Sequence, residues 1–357
     1  APGADLSVLS EHRVAELLGT TYSSSGAVTG RRLYERLHPP GGRALTPTEL
    51  VIPPEPFRKA AGRLAAGAMT WVRPLSADEQ AHSHIHGYDM RANYLTAIQK
   101  AVVGIGEPEH HLDAVEFDPK VVGLWRATVG AQQYPGYIAD GGGHAMLPDI
   151  MALARGRDAT TGWFTTATLK YVAKELDWPV EVHEAYTWSV TRRLWETWGK
   201  HINTARLALE EHLDEHPTDI NALAERGAIK AVYRGFIGRL AYSGDCDDKG
   251  QPLTPWHRPD WRATIQAEAN VDLHRKIRKI ADTTGRYPVG VFTDELLYTS
   301  DESDPTAAKP EPMPLGIGLG HWDLSRSHAI TDVVVDAAAR RAITDFNAAL
   351  PKNLKNL

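Results

Sequence analysis

HGYDMRANYLTA, running from His86 to Ala97, is where the chain first shows chemistry. Asp89 ends a short apolar and aromatic approach carrying Ile85 and Tyr88, and Tyr94, five residues on, opens a helix-like run. Alone, this is any strand that turns into a helix. A second aspartate, Asp294, closes another apolar run far downstream, VGVFTDELLY from Val289 to Tyr298. Two carboxylates on adjacent strand ends can hold a pair of divalent metal ions for phosphoryl transfer. The rest of the chain reads as the apparatus around Asp89 and Asp294.

The 357 residues allow two or three domains or one elaborated one. A hydrophobic fraction of 42% and a charged fraction of 24% are ordinary for a soluble globular protein. No apolar run approaches the ~20 residues of a membrane span, and the start lacks the basic-then-apolar layout of a signal peptide. Cys246 is the single cysteine, which excludes an internal disulfide framework and a cysteine-based zinc site. The expectation is a cytoplasmic protein with no membrane partner.

A net charge of −6 does not advertise a nucleic-acid binder, but its distribution is uneven. Basic residues gather at Arg31-Arg32, Arg192-Arg193, Arg226 to Arg239 and His274 to Lys279. Acidic ones gather at Glu210 to Glu215, Asp245 to Asp248 and Asp301 to Asp304. A polyanion could track the former while the latter face away. Solvated helix faces would give the same pattern.

Periodicity predicts helices over Leu6 to Leu18, Arg31 to Leu37, Phe57 to Met69, Tyr94 to Val103 and Thr168 to Glu175, the last capped by Thr166 or Thr168. Longer helices follow at Arg192 to Glu211, Asp219 to Tyr242 and Trp261 to Ala281, with a final one at Asp332 to Ala349. Strands are expected at Ile85 to Asp89, Val121 to Val129 and Val180 to Trp188, and Gly285 to Val291 leads into Asp294. Gly141 to Gly143 lacks the context of a phosphate loop and reads as a plain loop.

Two further patterns carry chemistry. His82, His84 and His86 alternate on a strand and could ligate zinc or another transition metal; a polar sheet edge is the simpler account. His110-His111 is weaker, since adjacent side chains diverge. The helix from Asp219 places Arg226, Lys230 and Arg234 on one face, and carries Gly235 and Gly238, each costing about 1 kcal/mol relative to alanine in a helix. A cationic stripe beside glycines suits a nucleoside triphosphate and a base pair; a basic surface helix with a glycine kink would look alike.

Here the residues meet a family. Asp89 to Thr96 resembles the first palm motif of family B DNA polymerases, D-x-x-S-L-Y-P-S, with Asp89 and Tyr94 in register. Lys230 to Gly238 is similar to the second motif, K-x-x-x-N-S-x-Y-G, and Phe292-Thr293-Asp294 to the end of the third, Y-x-D-T-D-S. Three weak motifs in order are jointly specific, over residues 82 to 322. The departures are Arg234-Gly235 for Asn-Ser, Ile237 for tyrosine, and Phe292 for the first aspartate of the third motif. Family A polymerases share the Arg226–Lys230 spacing and an Asp294-Glu295 pair, but carry glutamate where this chain has Tyr94. A narrower resemblance is to the telomere-associated (Tap) proteins of linear Streptomyces replicons.

The resemblance implies an α+β fold, a polymerase palm of antiparallel sheet backed by helices, with helical fingers. It implies an N-terminal region at 1–81, palm at 82–188 and 246–322, fingers at 189–245, and a C-terminal helix or reduced thumb at 323–357. Two Mg2+ ions would be held by Asp89, Asp294 and the Met90 carbonyl, with Asp89 and Asp294 catalytic. Lys230, Arg226 and Arg234 would bind the incoming nucleotide's phosphates and base pair, and Tyr94 its sugar, favouring deoxynucleotides. The implied partners are template and primer DNA, dNTPs and a terminal protein. Two rival readings are a polymerase-derived scaffold binding DNA ends without catalysis, and a hydrolase using His82, His84 and His86.

Overall fold

The computed structural model describes residues 6–38, 69–112, 115–130, 146–148, 150, 160–247 and 253–330. Helices α1 (Leu6–Leu18) and α2 (Gly26–Leu37) come first. Strand β1 (Thr70–Val72), the short α3 (Ala77–Ala81) and β2 (His84–Met90) lead into α4 (Asn93–Lys100). Then come β3 (Val103–Gly104), β4 (Glu109–Leu112), β5 (Val122–Val129), β6 (Thr160–Thr165), α5 (Thr166–Lys174), β7 (Val180–Trp188) and β8 (Thr191–Arg192). The long helices α6 (Glu196–Glu215), α7 (Ile220–Arg239) and α8 (Pro259–Thr284) follow. The described chain closes with β9 (Gly290–Phe292), β10 (Glu295–Ser300), α9 (Pro305–Ala308) and β11 (Trp322–Ala329).

The strands form antiparallel sheets in the orders β1-β9-β10-β2-β11, β4-β7-β5-β6 and β3-β8. Helices and antiparallel sheets together make the mixed architecture expected. Strand β2 lies inside the first sheet, and register sets Glu295 of β10 and Asp323 of β11 on either side of Asp89. Side chains alternate across a strand. Tyr88, Met90, Leu296, Tyr298 and Trp322 therefore share a buried core with Leu273, Ile277 and Ile280 of α8. Gly87, Asp89 and Glu295 occupy the other face.

A second core is helical. It joins Val14 and Leu18, Leu33 and Tyr34, Leu95 and Ile98, Trp195, Trp198 and Ile202, and Ile229, Val232 and Phe236 to Trp261, Ile265 and Ala269 of α8. One 26-residue helix thus serves both cores. Its ends follow local rules: Pro259 needs no N–H in the first turn, and Gly285 at φ 70° supplies the left-handed cap.

Some expectations change. Gly235 serves helix packing rather than a ligand, because a Cβ there would lie 2.8 Å from the Ala27 backbone nitrogen of α2. Gly26 reciprocates, its Cβ position 2.4 Å from the Ala231 backbone, whereas Gly238 faces open space. The cap of α5 is Thr165, one residue before the expected threonine. Strand β1 falls within the stretch expected to be helical and irregular, and β11 runs past the expected boundary at residue 322. The helices expected at Asp332 to Ala349 and over most of Phe57 to Met69, and the loop at Gly141 to Gly143, lie outside the described residues. Among the described residues, no helix is long and apolar enough to cross a membrane.

Candidate active site

The β9–β10 connection is a two-residue hairpin of Thr293 and Asp294. The Asp294 N–H donates to the Phe292 carbonyl at 2.8 Å, a γ-turn with Thr293 at φ 63°. That conformation is unfavourable for a β-branched residue. Tertiary bonds hold it: the Thr293 N–H donates to the Met69 carbonyl at 2.7 Å, and the Met90 N–H donates to the Asp294 carbonyl at 2.9 Å. The second hooks the hairpin tip to the end of β2, next to Asp89. Relieving the strain with Thr293→Gly should raise stability by about 1 kcal/mol, read as a higher urea midpoint.

Beyond Met90, Ala92 enters the left-handed region at φ 52° and turns the chain into α4, whose second residue is Tyr94. Tyr94 shares a hydrogen bond with Gln266 of α8, and Arg262 and Arg234 act on it electrostatically. Burial raises the Tyr94 hydroxyl above its ordinary value, and the Asp294 charge raises it further. From α7, Lys230 acts on both aspartates and Arg234 on Asp294. The structure therefore gathers Asp89, Asp294, Tyr94, Lys230 and Arg234 around one point.

Burial pushes the Asp89 carboxyl up, and Glu295 and Asp323 add to the rise against Lys230 and Arg91. Asp294 is pushed up to about 7, first by burial and next by the Asp89 charge, against Lys230 and Arg234. Two half-buried carboxylates opposed in this way suit a divalent cation. Among the described residues no three His, Cys, Asp or Glu side chains are grouped to hold a metal. Two carboxylates match magnesium, which commonly takes one or two from the protein and completes its shell with water and substrate phosphates.

The raised value carries a sign. An unfolded aspartate ionises near ~4, and folded Asp294 near 7. Without divalent ions, stability should therefore be full below pH ~4 with respect to this group and decline as pH rises to about 7. Urea titrations at pH 5 and 7.5 check this, and Asp294→Asn should flatten the dependence.

Other expected residues sit differently. Arg226 lies on the same helix face, but its guanidinium is 3.6 Å from Glu210 of α6. Buried Glu210 also takes Arg91 at 2.7 Å and Arg206 at 3.8 Å, and Arg91 reaches on to Asp323 at 2.9 Å. Met90 contributes the N–H hook, and its sulfur faces the Lys276 ammonium at 2.9 Å. Glu295 is committed to Arg326 and Ser325, in space that Gly87 leaves open.

The three histidines make no metal site. His82 caps α3 rather than lying on β2 and bonds Thr299, His84 bonds Ser83, and His86 bonds Ser327 and the Glu302 carbonyl. His110 stacks on Tyr186, and His111 bonds Thr187. The residues that sequence reading misses are Arg91, Asp323, Arg262 and Gln266. Arg91 sits inside the first motif at a position its pattern leaves open, and Asp323, Arg262 and Gln266 lie on other elements, so no local spacing announces them.

No protein-family model and no curated protein matches the chain. Solved structures do, and the class they define is a fold similar to that of DNA polymerases. Among them is Phi29 DNA polymerase complexed with single-stranded DNA, with a TM-score of 0.58 and 14% identity over 90% of this chain and 54% of that one. The same polymerase complexed with primer-template DNA and incoming nucleotide substrates gives a TM-score of 0.51 and 12% identity over 91% and 53%. Likeness at this identity is likeness of fold, and the chain spans about half the length of the structures it matches.

Proposed function

We propose that this chain is a template-directed DNA polymerase. The observation that carries the proposal is the hook from Met90 to Asp294, which seats a second half-buried carboxylate near Asp89 under the reach of Lys230. In this reading the palm at 82–188 and 246–322 holds β2, β9 and β10 of the five-stranded sheet, whose β1 and nearly all of β11 lie beyond those bounds, and the fingers at 189–245 hold α6 and α7.

Asp89 and Asp294 would hold the metal, and the resemblance adds the Met90 carbonyl as a further ligand. Bound magnesium would supply the Lewis acidity that activates the attacking hydroxyl and screens the triphosphate. Lys230 and Arg234 bind the phosphates and offset the charge that grows on the leaving pyrophosphate. Arg226 works one step back, its charge shared with Glu210. Tyr94 faces the sugar. Template, primer and dNTPs are the partners, and the resemblance to telomere-associated proteins adds a terminal protein at the ends of linear replicons.

The test is to incubate the protein with magnesium, labelled dNTPs and a primed template, with and without a candidate terminal protein. Extension of either primer supports the proposal. DNA binding with no extension under both conditions overturns it in favour of a scaffold derived from a polymerase.

A further inference from the structure

Three arginines converge on one buried carboxylate, that of Glu210 on α6. Arg91 donates to its Oε2 at 2.7 Å. The same oxygen lies 3.6 Å from Arg226 of α7, and Oε1 lies 3.8 Å from Arg206. The three contacts are unequal. Arg206 is buried and held twice more, by Asn203 at 3.1 Å and by the Ile317 carbonyl at 2.7 Å. Arg91 is pinned on its far side by Asp323 at 2.9 Å. The Arg226 side chain is 41% exposed, and its 3.6 Å contact is beyond hydrogen-bond reach.

Arg226 is therefore the member that can leave. Its departure strands no buried charge, because Glu210 keeps Arg91 and Arg206. A carboxylate with one partner would be left unpaired at a large cost; one with three is not. Arg226 also stands one turn before Lys230 and two before Arg234 on α7, a spacing at which like charges repel. Glu210 offsets that repulsion while no anion is bound. A triphosphate carries more negative charge than one shared carboxylate and offers a guanidinium full hydrogen bonds in exchange.

We propose that Glu210 is a positioning residue that parks Arg226 beside the nucleotide site, from which a triphosphate draws the guanidinium onto its own oxygens. This rests on reading the site as a nucleotide site. Arg226 is one step back in the empty protein and on the phosphates in the filled one. Glu210 itself lies outside the three motifs of the resemblance.

The experiment uses the full chain with magnesium and a fluorescent dATP analogue, displaced by dATP. Glu210→Gln keeps the length of the side chain and an acceptor for Arg91 but removes the charge. It should tighten dATP binding by about 2- to 5-fold, the worth of a half-exposed ion pair. A residue that merely held the fold would weaken binding instead. Arg226→Gln should weaken binding by a similar factor, and Glu210→Gln should add nothing in that background. A gain that survives without Arg226 is a general gain of positive charge and overturns the role of Glu210. So does unchanged binding in either single variant, or weaker binding in Glu210→Gln. If Glu210→Gln does not fold, arginine side-chain NMR of the wild type decides. Magnesium and dATP should shift the Arg226 Nε–H resonance, and a resonance that stays put overturns the parking. A wild type that binds no dATP overturns the nucleotide reading and this one together.

Discussion

Asp294→Asn should abolish primer extension, by at least about 10²–10³-fold, the loss typical of removing one preorganised charge-stabilising group. Binding of primed DNA should survive, because the cationic residues of α7 and the two cores are untouched. The same substitution should make the metal-free protein more stable above pH 7, since a neutral amide ends the repulsion with Asp89. Activity and stability would move in opposite directions for one cause. Extension on a labelled primer, fluorescence anisotropy on the same duplex and a urea titration at pH 7.5 read the three effects. Retained extension sinks the assignment of Asp294.

Asp260→Ala should be the most damaging change away from the site. Arg258 is fully buried, and Asp260 holds it with two hydrogen bonds, of 2.9 Å and 2.5 Å. The guanidinium also lies 3.8 Å from the Trp261 ring centroid, and both residues donate to the Gly104 carbonyl of β3. Removing the carboxylate strands a buried charge at a cost of about 3–5 kcal/mol. For a total stability of roughly 5–15 kcal/mol, that is a large share. Urea or thermal unfolding measures it. Replacing both partners with Met and Leu should recover most of the loss, which isolates the stranded charge as the cause.

The legible parts of this molecule are those written locally. Asp89 and Asp294 each end an apolar run, and Lys230 and Arg234 share a helix face through spacing alone. The long helices were visible in their periodicity. What stayed hidden depends on pairing over distance. Strand β11 reads Trp-Asp-Leu-Ser-Arg-Ser-His-Ala, mostly polar, and becomes a strand because β2 offers it an edge. The assignment of Glu295 to Arg326 needs both strands in register, as does the room left by Gly87. Gly235 suggested a ligand, and only the approach of α2 shows that a neighbouring helix fills the space. Gln266 sits in a helix that looks locally unremarkable, 172 residues from the tyrosine it neighbours.

Helix α8 has a consequence for how the protein comes apart. Because Trp261 and Ile265 belong to one core and Leu273 and Ile277 to the other, neither core can lose its packing without unseating part of the same rod. At 26 residues, that rod is about 39 Å long, spanning the protein like a common keel. The sheet that carries the aspartates and the helices that carry the lysine and arginine are therefore one thermodynamic body. On the proposed function, a nucleotide gripped by the helical half would be felt in the sheet as resistance to melting, and the carboxylates would share that rigidity.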